Sequence, residues 1–137
     1  MILIACLDDL NGIMFNNRRQ SKDKLLIEEL IATTDNHPIL VDFYSANLFK
    51  EYEDRIIIVE NPFAEAKQGD YCFIEGQTIT DSEDIEQIII YRWNRVYPAD
   101  KWFDINISAP GSHFTLLSET EFQGNSHDTI TKEVYVR

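Results

Sequence analysis

Ile88-Ile89-Ile90 is an unbroken run of β-branched apolar residues that passes directly into Tyr91-Arg92-Trp93-Asn94-Arg95-Val96-Tyr97, a segment capable of helix. A strand feeding a helix in this way is the building unit of open α/β sheets, which bind ligands at the carboxyl end of a strand and over a helix N-terminus. Such a corner usually carries glycine, because only a residue without Cβ lets backbone N–H groups come close to a phosphate. Arg92 and Trp93 stand in that place here. The run restricts the chain to a layered α/β fold, and its flank implies a ligand corner unlike a phosphate cradle.

The rest of the chain supports one such unit. A length of 137 residues fits a single domain over 1–137, able to bury roughly 68% of the surface that its unfolded form exposes. No apolar run approaches the 18 or more residues that cross a bilayer. Ile2-Leu3-Ile4-Ala5-Cys6-Leu7 lacks a basic flank and meets Asp8-Asp9, so it reads as a first strand and not as a signal peptide, with the cytoplasm as the default compartment. The formal charge of −12, from 24 acidic and 12 basic residues, opposes binding to nucleic acid or an anionic membrane, since the long-range field repels polyanions. Cys6 and Cys72 lie in apolar strand-like runs and read as buried, reduced thiols.

Periodicity orders the elements. After the first strand, Asp8-Asp9-Leu10-Asn11-Gly12 has turn chemistry, Ile13-Met14-Phe15 resumes apolar character, and Asn16 to Gln20 is a polar loop. Leu25, Leu26, Ile27, Leu30 and Ile31 form the buried stripe of a helix with Ser21 as N-cap, Asp23 in its first turn, Glu28-Glu29 on its solvated face and an end near residues 33–36. Strand 39–43 and a short helix over 45–49 follow. Arg55 to Val59 reads as a strand buried on both faces, and Tyr71 to Ile74 as another that closes at Gly76, with Glu75 given no role. Thr80-Asp81-Ser82 caps a short helix through Glu86 ahead of the Gln87 to Ile90 strand. Residues 103–107, 114–116 and 130–136 alternate with period two, as antiparallel strands with one wet face do.

In order and spacing these segments resemble dihydrofolate reductase over nearly the whole chain. The matching stretches are Ile2 to Leu7 with Asn11-Gly12-Ile13, His37 to Val41 after the first helix, Ile88-Ile89-Ile90 with Arg95-Val96-Tyr97 before Phe103-Asp104-Ile105, and the tail of Phe114 to Ser118, Asn125-Ser126-His127 and Lys132 to Arg137. The resemblance implies an α/β fold: a mixed, mostly parallel twisted sheet with flanking helices and a C-terminal antiparallel hairpin. It implies much less about chemistry. The adjacent glycines that admit the cofactor diphosphate in that family correspond to Arg92-Trp93. The family's Gly-Arg-x-Thr corresponds to Asp42-Phe43-Tyr44-Ser45, which removes a cation and puts a carboxylate where a 2′-phosphate would lie. The Pro-Trp lid loop has no counterpart in Phe15 to Gln20. Asp23 matches the helix acid that orients and protonates a pterin, with Leu26 as the competing match.

Candidate site residues follow. Asp23 is the candidate catalytic acid, and its ordinary alternative is a first-turn residue favoured by the helix dipole. Arg18, Arg19, Tyr91, Arg92, Trp93 and Arg95 are the candidate ligand-binding set. In the resembled fold both segments border one cleft, where guanidinium groups beside aromatic rings could clamp a phosphate or carboxylate; surface ion pairing is the competing role for the arginines, and packing for Trp93. His37, His113 and His127 have no metal-ligand spacing, and neither a Gly-x-Ser-x-Gly elbow nor a base adjacent to either cysteine occurs, so no metal site and no nucleophilic catalysis is expected.

The favoured expectation is a dihydrofolate reductase-like protein without bound cofactor that takes a small anionic molecule or a protein partner. The alternatives are an NADPH-dependent dihydrofolate or pterin reductase using Asp23, and a structural protein that associates through its acidic surface and an exposed edge strand.

Overall fold

The apolar runs form the middle of a seven-stranded sheet in the computed structural model, which describes residues 1–107, 109 and 111–137. Strand β1 (Ile2–Leu7) lies at its centre. On one side come β6 (Tyr71–Phe73), β4 (Ile39–Val41) and the edge strand β5 (Ile56–Ile58), all parallel. On the other side β7 (Gln87–Arg92) is parallel to β1, then β10 (Ile130–Val136) and the edge strand β9 (Thr115–Phe122) run antiparallel. This is the mixed, mostly parallel sheet with a C-terminal antiparallel hairpin that the resemblance implies. A small second sheet joins β2 (Gly12–Phe15), β3 (Arg18–Arg19) and β8 (Lys101–Trp102).

Alternation along the central strands divides the core in two. Leu3, Ala5, Leu7, Ile88 and Ile90 face one side, with Phe103, Ile107 and Phe114. Ile4, Phe73, Ile89, Tyr91 and Trp93 face the other and pack on Leu26, Leu30 and Phe49. Fully burying one such side chain is worth about 1.5–3 kcal/mol.

Helix α1 (Lys24–Thr33) begins two residues later than expected, because Asp23 and not Ser21 is its N-cap; its carboxylate accepts the N–H groups of Leu25 and Leu26. The helix ends at Thr34, and Asp35 and Asn36 follow with φ of 42° and 68°. Glu29 is not on a solvated face: it accepts the Tyr91 hydroxyl and the Lys132 ammonium, and Thr33 Oγ1 lies 3.4 Å from the same Tyr91 oxygen. Burial, then the Glu29 charge, push the Tyr91 phenol far above its ordinary value. Tyr91→Phe is expected to lower stability by about 1–2 kcal/mol in urea melts, the usual cost of a buried hydrogen bond.

Other local expectations change. No helix follows β7. Trp93 still donates to Leu7 like a strand residue, Asn94 turns the backbone with φ of 59°, and residues 94–100 run irregularly to β8. No helix forms over 80–86 either, where the chain only turns. Residues 103–107 are not a strand, although Phe103 and Ile107 are buried as their alternation suggests; Ser108 and Pro110 lie outside the described residues. β5 is an edge strand and not one buried on both faces: it pairs only with β4, and Ile57 and Ile58 are 46% and 45% exposed; the one-turn helix α3 (Pro62–Glu65) follows it. After β4 the helix α2 (Phe43–Ala46) passes into a 3₁₀ segment over Asn47–Arg55, broken at Phe49 and Tyr52. Asn16 and Asn17, at φ of 53° and 59°, make the two-residue turn between β2 and β3 that left-handed residues favour. No described helix is long and apolar enough to cross a membrane.

Candidate functional site

The six residues proposed as one ligand set are dispersed by the two-residue period of β7. Tyr91 and Trp93 point toward α1 and are buried. Arg92 takes the opposite face, where its guanidinium donates to Glu133, to the Asp8 carbonyl and to Asn11 Oδ1. An arginine held by three acceptors has little left for a ligand. Arg95 is exposed in a shallow depression of about 250 Å³ beside Asp128, and Arg18 is exposed near the β2–β3 turn. The single clamp expected from the sequence is therefore corrected: a strand cannot direct three consecutive side chains to one face.

Arg19 has a specific partner. Its Nε and Nη2 donate to the two oxygens of Glu75 at 2.8 and 2.9 Å, and its guanidinium lies 4.3 Å from the centre of the Tyr44 ring. Glu75, for which the sequence suggests no role, is buried and also accepts the Ser45 hydroxyl at 2.7 Å. Burial opposes the Arg19 charge, yet the Glu75 hydrogen bonds and charge prevail and raise its pKa.

Asp23 is the most heavily hydrogen-bonded group in the region. Besides its two helix amides it accepts the backbone N–H of Asn125 and of Ser126, the Ser126 hydroxyl, and His127 Nδ1 at 3.0 Å. Burial alone would raise this carboxyl, but the Asn125, His127, Ser126 and Leu26 hydrogen bonds outweigh it and hold it well below the usual carboxylate range. Gly124 makes the approach possible, since a Cβ there would lie 2.6 Å from Asp23 Oδ2 and 2.7 Å from the His127 carbonyl. The His127 ring stacks on Trp93, centroids 4.6 Å apart, and its Nε2 lies 3.0 Å from the Tyr97 hydroxyl and 3.2 Å from Ser21 Oγ. Asp23 thus fastens the start of α1 to the loop before β10. A side chain so saturated is poorly placed to hand a proton to a bound molecule.

Between α1, the 3₁₀ segment and this loop opens a cleft of about 560 Å³. Ile27, Leu48 and Tyr52 supply apolar wall, and Lys22, Lys24 and Lys50 supply charge, with Glu51 as the one other acid besides Asp23. Among the described residues none of these three ammonium groups lies within ion-pair distance of a carboxylate. Nothing local in the sequence marks them, since they are exposed lysines on separate elements. The cleft narrows to a pit of about 10 Å³ lined by Ser21, Gln20, Cys6, Glu75 and Trp93. Among the described residues no three His, Cys, Asp or Glu side chains gather as a cation site.

The carboxyl ends of β6 and β7 offer no helix N-terminus, because residues 74–86 and 93–100 are irregular. Among the described residues only β4 leads within one residue into a helix, the four-residue α2, whose N-cap Asp42 accepts the Ser45 amide at 2.7 Å and the Gln77 side chain.

This sheet order, with α1 packed on one face and the hairpin at the end, is the dihydrofolate reductase-like α/β fold. Among solved structures the chain is similar to dihydrofolate reductase from Enterococcus faecalis complexed with NADP(H) and RAB-propyl, with a TM-score of 0.64 and 9% identity, covering 99% of this chain and 95% of that one. No protein-family profile and no curated protein matches the sequence.

Proposed function

We propose that this chain binds a small anionic molecule in the cleft between α1 and the 3₁₀ segment. The carrying observation is the convergence of Lys22, Lys24 and Lys50, without carboxylate partners among the described residues, on a cleft of about 560 Å³ in a chain whose net charge is −12. In a protein so acidic, cations normally find acids; three left facing one cavity supply the local field that an anion needs. The apolar wall of Ile27, Leu48 and Tyr52 favours a ligand that also has a flat or aliphatic part. Arg19, bound to Glu75, forms the inner boundary and not the main contact.

NADPH-dependent reduction is the second reading, and its motive is the fold together with Asp23 at the head of α1. Three features weigh against it: the saturated Asp23 carboxylate, the absence of a helix N-terminus after β6 and β7 among the described residues, and the Asp42 carboxylate after β4. We therefore assign no cofactor.

Calorimetric titration with inorganic phosphate, dicarboxylates, nucleotides and folates tests the reading. At least one of these anions is expected to bind, with affinity falling about tenfold or more in Lys24→Glu/Lys50→Glu and falling with added salt. The absence of heat from every anion would dismiss the cleft as a ligand site. NADPH oxidation in the presence of dihydrofolate would reinstate the reductase.

A further inference from the structure

At the closed end of the same cleft three side chains stand in the relation that activates a hydroxyl. Ser21 Oγ lies 3.2 Å from His127 Nε2, and His127 Nδ1 lies 3.0 Å from Asp23 Oδ2. The Asp23 side chain is 0% exposed and that of His127 4%. Because Asp23 is an ionised acceptor for every other group around it, the His127 nitrogen facing it carries the proton, which leaves the Nε2 lone pair toward Ser21. The ring cannot drift: Trp93 stacks against it, and Ser126 Oγ lies 3.1 Å from Nδ1. Ser21 is half-buried and lines the pit, which shares Arg19, Lys22, Asp23, Ile27 and Leu48 with the larger cleft. Sequence reasoning found no nucleophile because Ser21 and His127 are 106 residues apart, and the triad is recognised by geometry alone.

We propose that Ser21 is a nucleophile, with His127 as its base and Asp23 as the group that positions and charges that base, and that it cleaves a carboxylic ester with a short acyl group and an anionic alcohol. The short acyl group follows from the pit, which has room for about one water-sized group. The anionic alcohol follows from Lys22, Lys24 and Lys50 and rests on the cleft reading above. Ser21 Oγ bonds to the ester carbonyl carbon while its proton moves to His127 Nε2. The carbon–oxygen bond to the alcohol then breaks, and the alcohol leaves with that proton. Water attacks the acyl-Ser21 carbonyl, gives a proton to His127, and the carboxylic acid departs as Ser21 takes the proton back. Tyr97 shapes the rate, since its hydroxyl at 3.0 Å competes with Ser21 for the single Nε2 lone pair.

The test is covalent labelling of the full chain with an uncharged fluorophosphonate, followed by mass spectrometry of the peptides. One adduct is expected, on Ser21, absent in Ser21→Ala and formed about 100-fold or more slowly in folded His127→Asn, in line with the usual contribution of a general base. Tyr97→Phe, which frees the lone pair, is expected to label several-fold faster. No adduct on Ser21, or labelling indifferent to His127→Asn, overturns the proposal. Should His127→Asn fail to fold, Tyr97→Phe decides, and unchanged or slower labelling overturns it. Lys24→Glu/Lys50→Glu separates this proposal from the cleft reading. Its preference for an anionic over an uncharged acetyl ester should fall about tenfold, whereas an unchanged preference would leave the triad and remove the lysines from its specificity.

Discussion

Asp23→Ala is expected to lose about 4 kcal/mol of folding stability, the largest effect of any single substitution considered for this chain. The helix cap it removes is worth about 1 kcal/mol. The backbone donors of Asn125 and Ser126 would then be left without their acceptor beside a buried histidine, at about 1–3 kcal/mol for each such group that water cannot reach. Against a typical total of about 5–15 kcal/mol this is enough to bring the protein close to unfolding, and denaturant melts with far- and near-UV circular dichroism would register it. The same carboxylate predicts a pH dependence. Its pKa is depressed in the fold, so its stabilisation is fully present above the unfolded value near 3.9 and declines as acid protonates the folded group, between about pH 5 and strongly acidic conditions. Asp23→Asn should flatten that slope. A slope equal to that of the unsubstituted protein would mean that the Asp23 hydrogen bonds do not form in solution.

Arg19→Met is expected to cost about 3 kcal/mol, because it strands the Glu75 carboxylate with only the Ser45 hydroxyl as a side-chain donor. The guanidinium retains some exposure, which keeps the cost at the lower end for a buried pair. Arg19→Met/Glu75→Met should recover most of the loss, since two apolar side chains of similar length need no partners. A double variant no better than the single one would show that the pair acts through shape and packing on Tyr44 and not through charge. The measurement is a double-mutant cycle on urea midpoints.

The sheet was legible because its strands are written in period two and in unbroken apolar runs. The C-terminal hairpin came from the family resemblance, the alternation by itself saying only that its strands are antiparallel with one wet face. Helix α1 was legible from its stripe, but its first residue was not: Ser21 and Asp23 are both good caps, and only the distant loop at 125–127 decides between them. The step after β7 misled for a local reason. Its residues can form helix, but the backbone hydrogen bond from Trp93 to Leu7 and the left-handed Asn94 continue strand geometry into a turn. The candidate site was less legible. Arg19 lines the cleft but is held by Glu75, whereas Tyr91, Arg92 and Trp93 are spent on packing and internal hydrogen bonds. His127 looked isolated because its partners lie about a hundred residues away in the chain, and the three lysines gain meaning only from the cavity they share.

The outermost strand β9 leaves a row of backbone groups with no strand neighbour among the described residues, and Leu117 within it is 63% exposed. β9 itself carries Glu119 and Glu121 in an acidic chain, so a further strand docking there would meet negative charge. Growth by lateral accretion is thereby discouraged at neutral pH. Acidification toward the isoelectric point near 4.5 weakens that repulsion, so addition of a strand at this edge is expected to meet least resistance in mildly acidic solution.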